Sequence, residues 1–400
     1  MIKYIGGDIR NGVKYDWGKI RKEYKRLKCP KDVYYPLKCD WDQAAFNMCL
    51  SDRSRGKTTN PVLVSLIMYR DYGTTPHYLR VSSDQTRPMI IQDMYTTIRE
   101  HDYINRIFGG EFNDIEYYAK RWTLVKRNME TGDITAAADR PAMVCFGINE
   151  SDDIKSVYNS PRGDAIIFDE FISSIYHYDD FFNFKNMIKT IVRDRLSAVC
   201  WMLANTTDVH TPWFDDMMLR DAIMGMQMGE ARYCTAGDHV NYFIDIMSPD
   251  VSERREKVND RYFGHDNPKL NAITGRQMWS TEDYPHIPPD KLDPAQQIYG
   301  KLYMQHSGRI VRLVLVRREI GLCVHVVPAK RIYDDSWCLT MGVISDKRYL
   351  YGAGPKGTVL ETYWRLYKAN RWYYATNSEG AVVKAYLKML RAEKQGRIVT

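Results

Sequence analysis

A loop of the phosphate-binding type is the first feature of this sequence that could do chemistry. In LSDRSRGKTTN, residues 50–60, Gly56, Lys57 and Thr58 follow the order in which backbone amides, a lysine and a hydroxyl surround nucleotide phosphates. Ser51 occupies the position where the usual pattern opens with glycine. The loop therefore predicts a nucleotide site only if other segments provide the metal-binding and water-activating groups.

Two acids at the end of an apolar run are candidates for those groups. DAIIFDEFI, residues 164–172, is typical of a buried parallel strand that delivers Asp169 and Glu170 to its carboxyl end. We expect Asp169 to serve Mg²⁺, directly or through a ligand, and Glu170 to act as general base on the attacking water. Taken alone, the pair is more typical of a helix N-terminus, but the upstream loop favours the hydrolytic interpretation.

Three further polar residues lie near the next strand. Asn205 follows AVCWML, residues 198–203, and could sense the γ-phosphate, although asparagine is also an ordinary turn residue. Arg193 and Arg195 precede that run, and either could neutralise transition-state charge in a neighbouring subunit. Surface arginines at a helix end would give the same pattern, so both interpretations stay open.

Alternating strands and helices predict how these residues meet. Strands are expected at 44–50, 77–81, 141–148, 165–168 and 198–203, a hairpin at 116–127 and 134–138, and helices at 61–69, 87–101 and up to about 195. This order is typical of a doubly wound α/β domain with ligand groups at the strand ends. We assign residues 34–208 to this α/β domain.

The rest of the chain is predicted to form three parts. Residues 1–33 are a basic segment, and residues 209–290 are typical of a helical, Met-rich linker or lid subdomain. Residues 291–400 contain three strands followed by a helix, a strand and a helix. That order resembles the α/β ribonuclease H-like nuclease fold.

Charge is distributed unevenly along the chain. The net charge of +7 combines +6 in residues 1–33 and +11 in residues 291–400 with an acidic centre. Basic ends predict contact with a polyanion such as nucleic acid, with a solvated charged surface as the equal alternative.

Several other classes of protein are not favoured. No run approaches the roughly 18 apolar residues of a membrane span, so we expect no membrane contact. The eight cysteines contain no C-x-x-C pair and the nine histidines no metal-spaced pair, so we expect reduced intracellular thiols and no metal beyond magnesium.

Together, these motifs resemble a known family. LSDRSRGKTT is similar to the deviant loop of viral DNA-packaging motors, and IIFDEFI, TIVRDRL and MLANTT resemble the encapsidation ATPase of small protein-primed tailed phages, a relative of the large terminases. The resemblance covers about residues 44–214 and implies that the domain at residues 34–208 is an α/β P-loop ATPase domain of the additional-strand type. It implies that Asp169 and Glu170 are the magnesium and catalytic acids, Asn205 the coupling residue and Arg193 the trans-acting finger. It also implies a loop that binds ATP through Ser51, Asp52, Arg53, Ser54, Arg55, Gly56, Lys57, Thr58 and Thr59, with Thr58 on the metal.

The resemblance also implies partners and a place of action. Members form a ring, commonly a pentamer, on the portal or connector of an empty procapsid in the host cytoplasm, and push double-stranded DNA inward. Some members dock through a structural packaging RNA, which the sequence neither predicts nor excludes.

The C-terminal part is predicted to bind nucleic acid without cutting it. A working nuclease of the ribonuclease H-like fold carries an acid on its first strand, and IYGKLYMQH, residues 298–306, has none. Glu361 and Glu379 are the remaining candidates for metal ligands. Candidates for gripping a nucleic-acid backbone are Arg309, Arg312, Arg317, Arg318, Lys330 and Arg331.

The leading hypothesis is thus a ring-forming, ATP-driven DNA-packaging enzyme. The first alternative is a large terminase that retains nuclease activity. The second is a DNA-binding scaffold with a degenerate nucleotide site, which the presence of Glu170 disfavours because an inactive site needs no base.

Overall fold

The computed structural model describes two compact units. The described residues are 14–27, 38, 44–52, 55–154, 162–172, 176, 179–193, 195–205, 209, 211–237, 239–248, 253–264, 284–286, 297–306, 309–342 and 344–394. The larger unit comprises residues 1–173, 179–207 and 221–280, and the smaller unit comprises residues 174–178, 208–220 and 281–400.

Helices and strands alternate through most of the described chain. The helices are α1 (Trp17–Arg26), α2 (Thr59–Tyr72), α3 (Pro88–Glu100), α4 (Tyr103–Phe108), α5 (Ser151–Ile154), α6 (Asp180–Val192), α7 (Pro212–Asp216), α8 (Arg220–Met224), α9 (Glu253–Phe263), α10 (Val359–Lys368) and α11 (Asn377–Lys394). The strands of the larger unit are β1 (Phe46–Ser51), β2 (His77–Arg80), β3 (Asp114–Tyr118), β4 (Arg121–Arg127), β5 (Ile134–Ala137), β6 (Met143–Gly147), β7 (Ala165–Asp169), β8 (Val199–Asn205), β9 (Ala231–Ala236) and β10 (Val240–Ile246). Those of the smaller unit are β11 (Gln297–His306), β12 (Arg309–Arg318), β13 (Gly321–Ala329), β14 (Trp337–Thr340), β15 (Tyr349–Tyr351) and β16 (Trp372–Tyr374).

The larger unit is built on a mixed ten-stranded sheet. Its strand order is β3-β4-β6-β2-β7-β8-β1-β10-β9, with β5 paired to β4. Six neighbouring strands run parallel, in the order β6, β2, β7, β8, β1 and β10. Strands β3, β4, β5 and β9 are antiparallel to their neighbours. The mixed α/β class with a parallel sheet, predicted from the sequence, is confirmed.

The central parallel strands are buried on both faces. Every residue of β1, β2, β6 and β7 is buried. Strands covered on both faces read as continuous apolar runs, which is how they were recognised in the sequence. Helix α2 is similarly buried from Asn60 to Tyr69, so it crosses one face of the sheet beneath other helices.

The turn that ends α2 depends on a glycine. Gly73 has φ 71° and its amide donates to the carbonyls of Met68 and Tyr69. Only glycine adopts this left-handed conformation without a steric cost from a Cβ atom. The chain is thereby released from the helix and enters β2 at His77.

Two segments differ from the sequence prediction. Residues 116–127 were predicted to form one strand, but β3 and β4 are joined by Ala119 and Lys120, with φ 48° and 63°. Two positive φ angles make a tight hairpin turn that normally carries Asn or Gly, and neither residue is present to signal it. The helical linker predicted over 209–290 also contains two strands that were not predicted, because β9 and β10 extend the sheet beside β1.

The smaller unit contains a six-stranded sheet in the order β15-β14-β11-β12-β13-β16. β11, β12 and β13 form an antiparallel meander, and β14, β15 and β16 run parallel to their neighbours. Helices α10 and α11 cover one face through Leu360, Tyr363 and Tyr386, which pack on Leu313 and Val324. The three strands, helix, strand and helix predicted here are present, and the short strands β14 and β15 were not predicted.

None of the described helices combines the length and apolar character needed to cross a membrane.

Candidate active site

Parallel strands bring the predicted chemical groups to one edge of the larger sheet. Ser51, the last residue of β1, pairs with Asn205, the last residue of β8. Asp169 ends β7 opposite Leu203, and Arg80 ends β2 one residue beyond Leu79, which pairs with Phe168. Side chains far apart in sequence are therefore neighbours at the carboxyl ends of four adjacent strands, where α/β sheets bind ligands.

The loop opens without needing glycine. Ser51 is still extended strand, and its hydroxyl donates to the carbonyl of Asp52 at 2.8 Å. Gly56 has φ 72°, so glycine is needed where the loop turns into α2. The guanidinium of Arg55 faces the protein, donating to the carbonyl of Ser248 at 3.1 Å. Of the remaining loop positions, Thr59 begins α2, and Arg53 and Ser54 lie outside the described residues.

Lys57 is buried among acceptors. Its ammonium donates to the carbonyl of Asp52 at 2.8 Å and to Oδ1 of Asn205 at 2.7 Å, and the residue is only 7% exposed. Burial lowers the pKa of Lys57 to about 8, against the opposing pull of Asp169 and Glu170. The structure thus joins two predicted site residues, Lys57 and Asn205, by a direct hydrogen bond.

Asp169 is the centre of a hydrogen-bond network. Its Oδ2 accepts from the hydroxyl of Thr58 at 3.1 Å, the hydroxyl of Tyr78 at 2.7 Å and the guanidinium of Arg80 at 3.1 Å. Its Oδ1 accepts from the amide of Glu170 at 3.0 Å. A buried carboxylate with this many donors is held in one orientation.

Glu170 combines an exposed carboxylate with a constrained backbone. Its side chain is 52% exposed, and its Oε2 accepts from Arg80 at 2.7 Å. Its φ of 49° is unusual for a residue with a Cβ atom and costs about 1 kcal/mol or more. The strand end thus directs Asp169 inward and Glu170 toward solvent.

Sequence reasoning missed Tyr78 and Arg80. The strand containing them was recognised at 77–81, but its polar residues were not assigned to the site. Asp169 was predicted because it is a charged residue at the end of a buried strand. Arg80 has the same position at the end of β2, so the sequence could have predicted it as well. Tyr78 could not be predicted in this way, because only the register between β2 and β7 brings its hydroxyl to Asp169.

The two candidate finger arginines have different environments. Arg195 is buried, and its guanidinium donates to Asp164 and to the carbonyl of Ile191. Arg193 is exposed at the end of α6, with φ 55°. Of the pair, only Arg193 is available to another molecule.

The basic residues predicted to grip nucleic acid also divide into two groups. Arg309 donates to the hydroxyl of Ser378, and Arg312 donates to the carbonyl of Gly300 at 2.5 Å. Arg317, Lys330 and Arg331 are exposed, and Arg318 is half-buried. The guanidinium of Arg331 lies 4.8 Å from the ring centre of Tyr333.

The oxygen atoms of the site suit magnesium. Mg²⁺ is usually held by one or two protein oxygens together with substrate phosphates and water, and Thr58 and Asp169 offer a hydroxyl and a carboxylate 3.1 Å apart. Elsewhere in the described part of the chain, no group of three or more His, Cys, Asp or Glu side chains could hold a metal ion.

Comparison with solved structures identifies the class of fold. No protein-family model and no curated protein matches the sequence. The Phi-28 gp11 DNA packaging motor is similar with 16% identity, over 90% of this chain and 98% of that chain, at a TM-score of 0.56. The bacteriophage Phi-29 viral genome packaging motor assembly is similar with 15% identity, over 89% and 99%, at a TM-score of 0.51.

These similarities show that the chain has the fold of phage DNA-packaging motor proteins along nearly its whole length. The resemblance expected from LSDRSRGKTT and IIFDEFI is therefore confirmed at the level of the fold. Both proteins are covered almost completely, so the likeness includes the part of the chain beyond residues 44–214, where the sequence resemblance ends.

Burial of Lys57 predicts a pH-dependent contribution to stability. The folded state loses the lysine proton near pH 8, whereas the unfolded chain keeps it to about pH 10.5. Because the unfolded state binds this proton between these values and the folded state does not, the contribution of Lys57 to the free energy of unfolding should rise with pH there. Replacing Lys57 by methionine should remove that rise, measured by urea unfolding at several pH values.

Lys189, an exposed lysine on α6, provides the matched control. Lys189→Met should keep the wild-type rise between pH 8 and 10.5. If the free energy of unfolding has the same pH dependence in wild type and in Lys57→Met, burying the Lys57 charge does not cost free energy.

Proposed function

We propose that this chain is an ATPase that drives double-stranded DNA into a viral procapsid. The observation that carries the proposal is the meeting of Lys57, Thr58, Asp169, Glu170 and Asn205 at one sheet edge. The fold shared with phage DNA-packaging motor proteins supports the same conclusion. Under this proposal the larger unit is a P-loop ATPase, in which β8 is the additional strand between β1 and β7.

Hydrolysis is assigned to the groups at the strand ends. Water attacks the γ-phosphorus of ATP and passes its proton to Glu170, while the bond from phosphorus to the β,γ-bridging oxygen breaks and ADP leaves. Lys57 and the loop amides neutralise charge on the phosphates. Arg80 is a positioning residue, since its guanidinium bonds both Asp169 and Glu170.

Thr58 and Asp169 would hold Mg²⁺, which neutralises the phosphate oxygens when bound. Asn205 is proposed to couple the site to the rest of the protein. Its side-chain oxygen accepts a hydrogen bond from the Lys57 ammonium. A bound phosphate would attract this ammonium, so phosphate binding should free the Asn205 side chain. Strand β8 would then carry the signal away from the site.

Geometry supports a finger that acts between subunits. Arg195, two residues after Arg193, bonds Asp164 before β7, whereas Glu170 follows the other end of that strand. A strand of five residues spans about 17 Å. Arg193 therefore lies at the opposite edge of the sheet from its own Glu170, and we assign it to the nucleotide of a neighbouring copy.

The proposed setting is a ring, commonly of five copies, on the portal of a procapsid in the host cytoplasm. The smaller unit, with its excess positive charge, is assigned to contact with a DNA or packaging-RNA backbone. Of the predicted grips, Arg317, Lys330 and Arg331 are favoured, since Arg309 and Arg312 already bond other groups within the unit.

We further propose that the smaller unit is ribonuclease H-like but does not cleave. The antiparallel meander with β14 parallel to β11 supports such a fold. Glu361 accepts from the amide of Gly357, and Glu379 accepts from the amide and hydroxyl of Thr376. Both acids thus stabilise helix N-termini, which accounts for them without a metal.

Glu170→Gln should abolish ATP turnover, by a hundredfold or more, and DNase-protected packaging of DNA into purified procapsids. ATP binding should remain, because the amide keeps the shape of the carboxylate and its contact with Arg80. Turnover is measured as phosphate release, and binding by titration with labelled ATP.

Lys57→Ala is the companion variant and should lose binding as well as turnover. If Glu170→Gln hydrolyses ATP at the wild-type rate while Lys57→Ala does not, Glu170 is not the base. If turnover depends on Glu170 but procapsids never protect DNA, the protein is an ATPase of another kind.

Mixing inactive subunits should test the finger. Arg193→Ala subunits have an intact base, and Glu170→Gln subunits have an intact arginine, so mixed rings should regain some turnover where the two meet. Phosphate release is measured across mixing ratios, with Arg195→Lys mixtures as the reference for a buried arginine. No recovery at any ratio would argue against action in trans.

Supercoiled plasmid should remain uncut by the full chain in manganese, which tests the proposed lack of nuclease activity. The samples are compared on agarose gels over several hours. Nicking that disappears in Glu361→Ala or Glu379→Ala would favour the terminase alternative.

A further inference from the structure

The chain after α6 carries a fully exposed leucine, Leu196, shortly after an exposed arginine, Arg193. Leu196 is 99% exposed, and Arg193 forms no ion pair with any residue in the described ranges. A single exposed leucine is ordinary on a protein surface. What sets this one apart is that its neighbours hold it outward.

Asp164 anchors the chain on both sides of Leu196. This carboxylate is fully buried and accepts from the guanidinium of Arg195 and from the hydroxyl of Ser197 at 2.7 Å. It also accepts from the hydroxyl of Tyr15 at 2.8 Å. Leu196 could turn toward the core only by breaking a buried ion pair, which is strongly unfavourable.

The backbone before the leucine is also constrained. Arg193 has φ 55° and ψ −115°, a combination that residues with a Cβ atom rarely adopt, while its amide still closes α6 through the carbonyl of Lys189 at 2.9 Å. Such conformations persist where the surrounding contacts determine them, and they are concentrated at functional sites. The contacts on the described residues therefore leave the side chains of Arg193 and Leu196 exposed.

Helix α6 itself is fixed to the strand that leads to the nucleotide loop. The ammonium of Lys185 lies 4.2 Å from the ring centre of Phe46 at the start of β1, and 6.0 Å from that of Tyr242 on β10. Cation–π contacts of this kind are strengthened where the cation is shielded from water. Helix α6 is thus held to β1, and Arg195 and Ser197 are held to Asp164 before β7.

We propose that Leu196 is the apolar anchor of an interface with a second copy of this chain, holding Arg193 against that copy's nucleotide. The inference rests on the proposed function. Charge complementarity selects the occupant, because an exposed arginine that lies close in sequence to an exposed leucine fits a surface that offers phosphate and Glu170 carboxylate oxygens. Interfaces combine an apolar centre with such polar pairs at the rim.

Leu196→Ser tests the anchor. Losing the burial of a leucine should raise the protein concentration needed for half-maximal assembly by about tenfold or more. Assembly is followed by sedimentation with a slowly hydrolysed ATP analogue, and ATP turnover per subunit is measured across the same concentrations. The thermal midpoint of dilute protein should not fall, since the Leu196 side chain is almost fully exposed.

Tyr118→Ser is the matched control, because Tyr118 is 84% exposed in the same unit but lies at the end of β3. It should leave the assembly concentration unchanged. Arg193→Ala serves as a second comparison and should lower turnover at every concentration.

The possible results separate the inference from the proposed function. Unchanged assembly of Leu196→Ser would overturn the anchor while leaving the results for Glu170 and Arg193 intact. An equal increase in the assembly concentration of Tyr118→Ser would also overturn the anchor, because the effect would then not be specific to Leu196. If wild type shows no turnover, the proposed function fails, and sedimentation still decides whether Leu196 lies at an interface.

Discussion

The site depends on the pairing of charges that are buried at one edge of a parallel sheet. Burying an ammonium and a carboxylate costs free energy unless other groups replace the hydrogen bonds that each had formed with water. Lys57 is satisfied by Asp52 and Asn205, and Asp169 by Thr58, Tyr78 and Arg80. Since these partners come from β1, β2, β7 and β8 and from the loop, one network sets the relative positions of four strand ends. Any shift in strand register would leave one of the two charges without its partners.

The unusual opening of the loop is compatible with this network of buried charges. A glycine is required where the chain needs a positive φ, and Gly56 meets that requirement at 72°. The opening position is still paired with β8 as extended strand, so a serine fits there and its hydroxyl bonds the carbonyl of Asp52. That carbonyl also receives the Lys57 ammonium, so Ser51 contributes to the acceptors around the lysine. The departure from the usual pattern is therefore compatible with an intact lysine site.

Sequence reasoning could predict much of this arrangement, for identifiable physical reasons. Strands buried on both faces leave continuous apolar runs, so β1, β7 and β8 and the polar residues that end them were visible in the sequence. Strands β9 and β10 lie at the edge of the sheet, with exposed residues such as Tyr233 and Val240, and they follow a Met-rich helical segment that concealed them. Pairings between distant strands leave no local mark, so the hydrogen bond from Tyr78 to Asp169 could not be predicted.

The smaller unit shows why net charge is a poor guide to which residues bind a polyanion. Its excess of basic residues is a property of the whole segment, but several guanidinium groups have structural partners. Arg348 is paired with Asp346 and Asp334, and Arg312 lies so close to Gly300 that a Cβ atom there would be 2.5 Å from its guanidinium. Phosphate contact requires charges that can leave water without first breaking such bonds. Arg317 and Lys330 are exposed and meet that condition, so the structure separates the predicted contact residues into those that are available and those that already have partners.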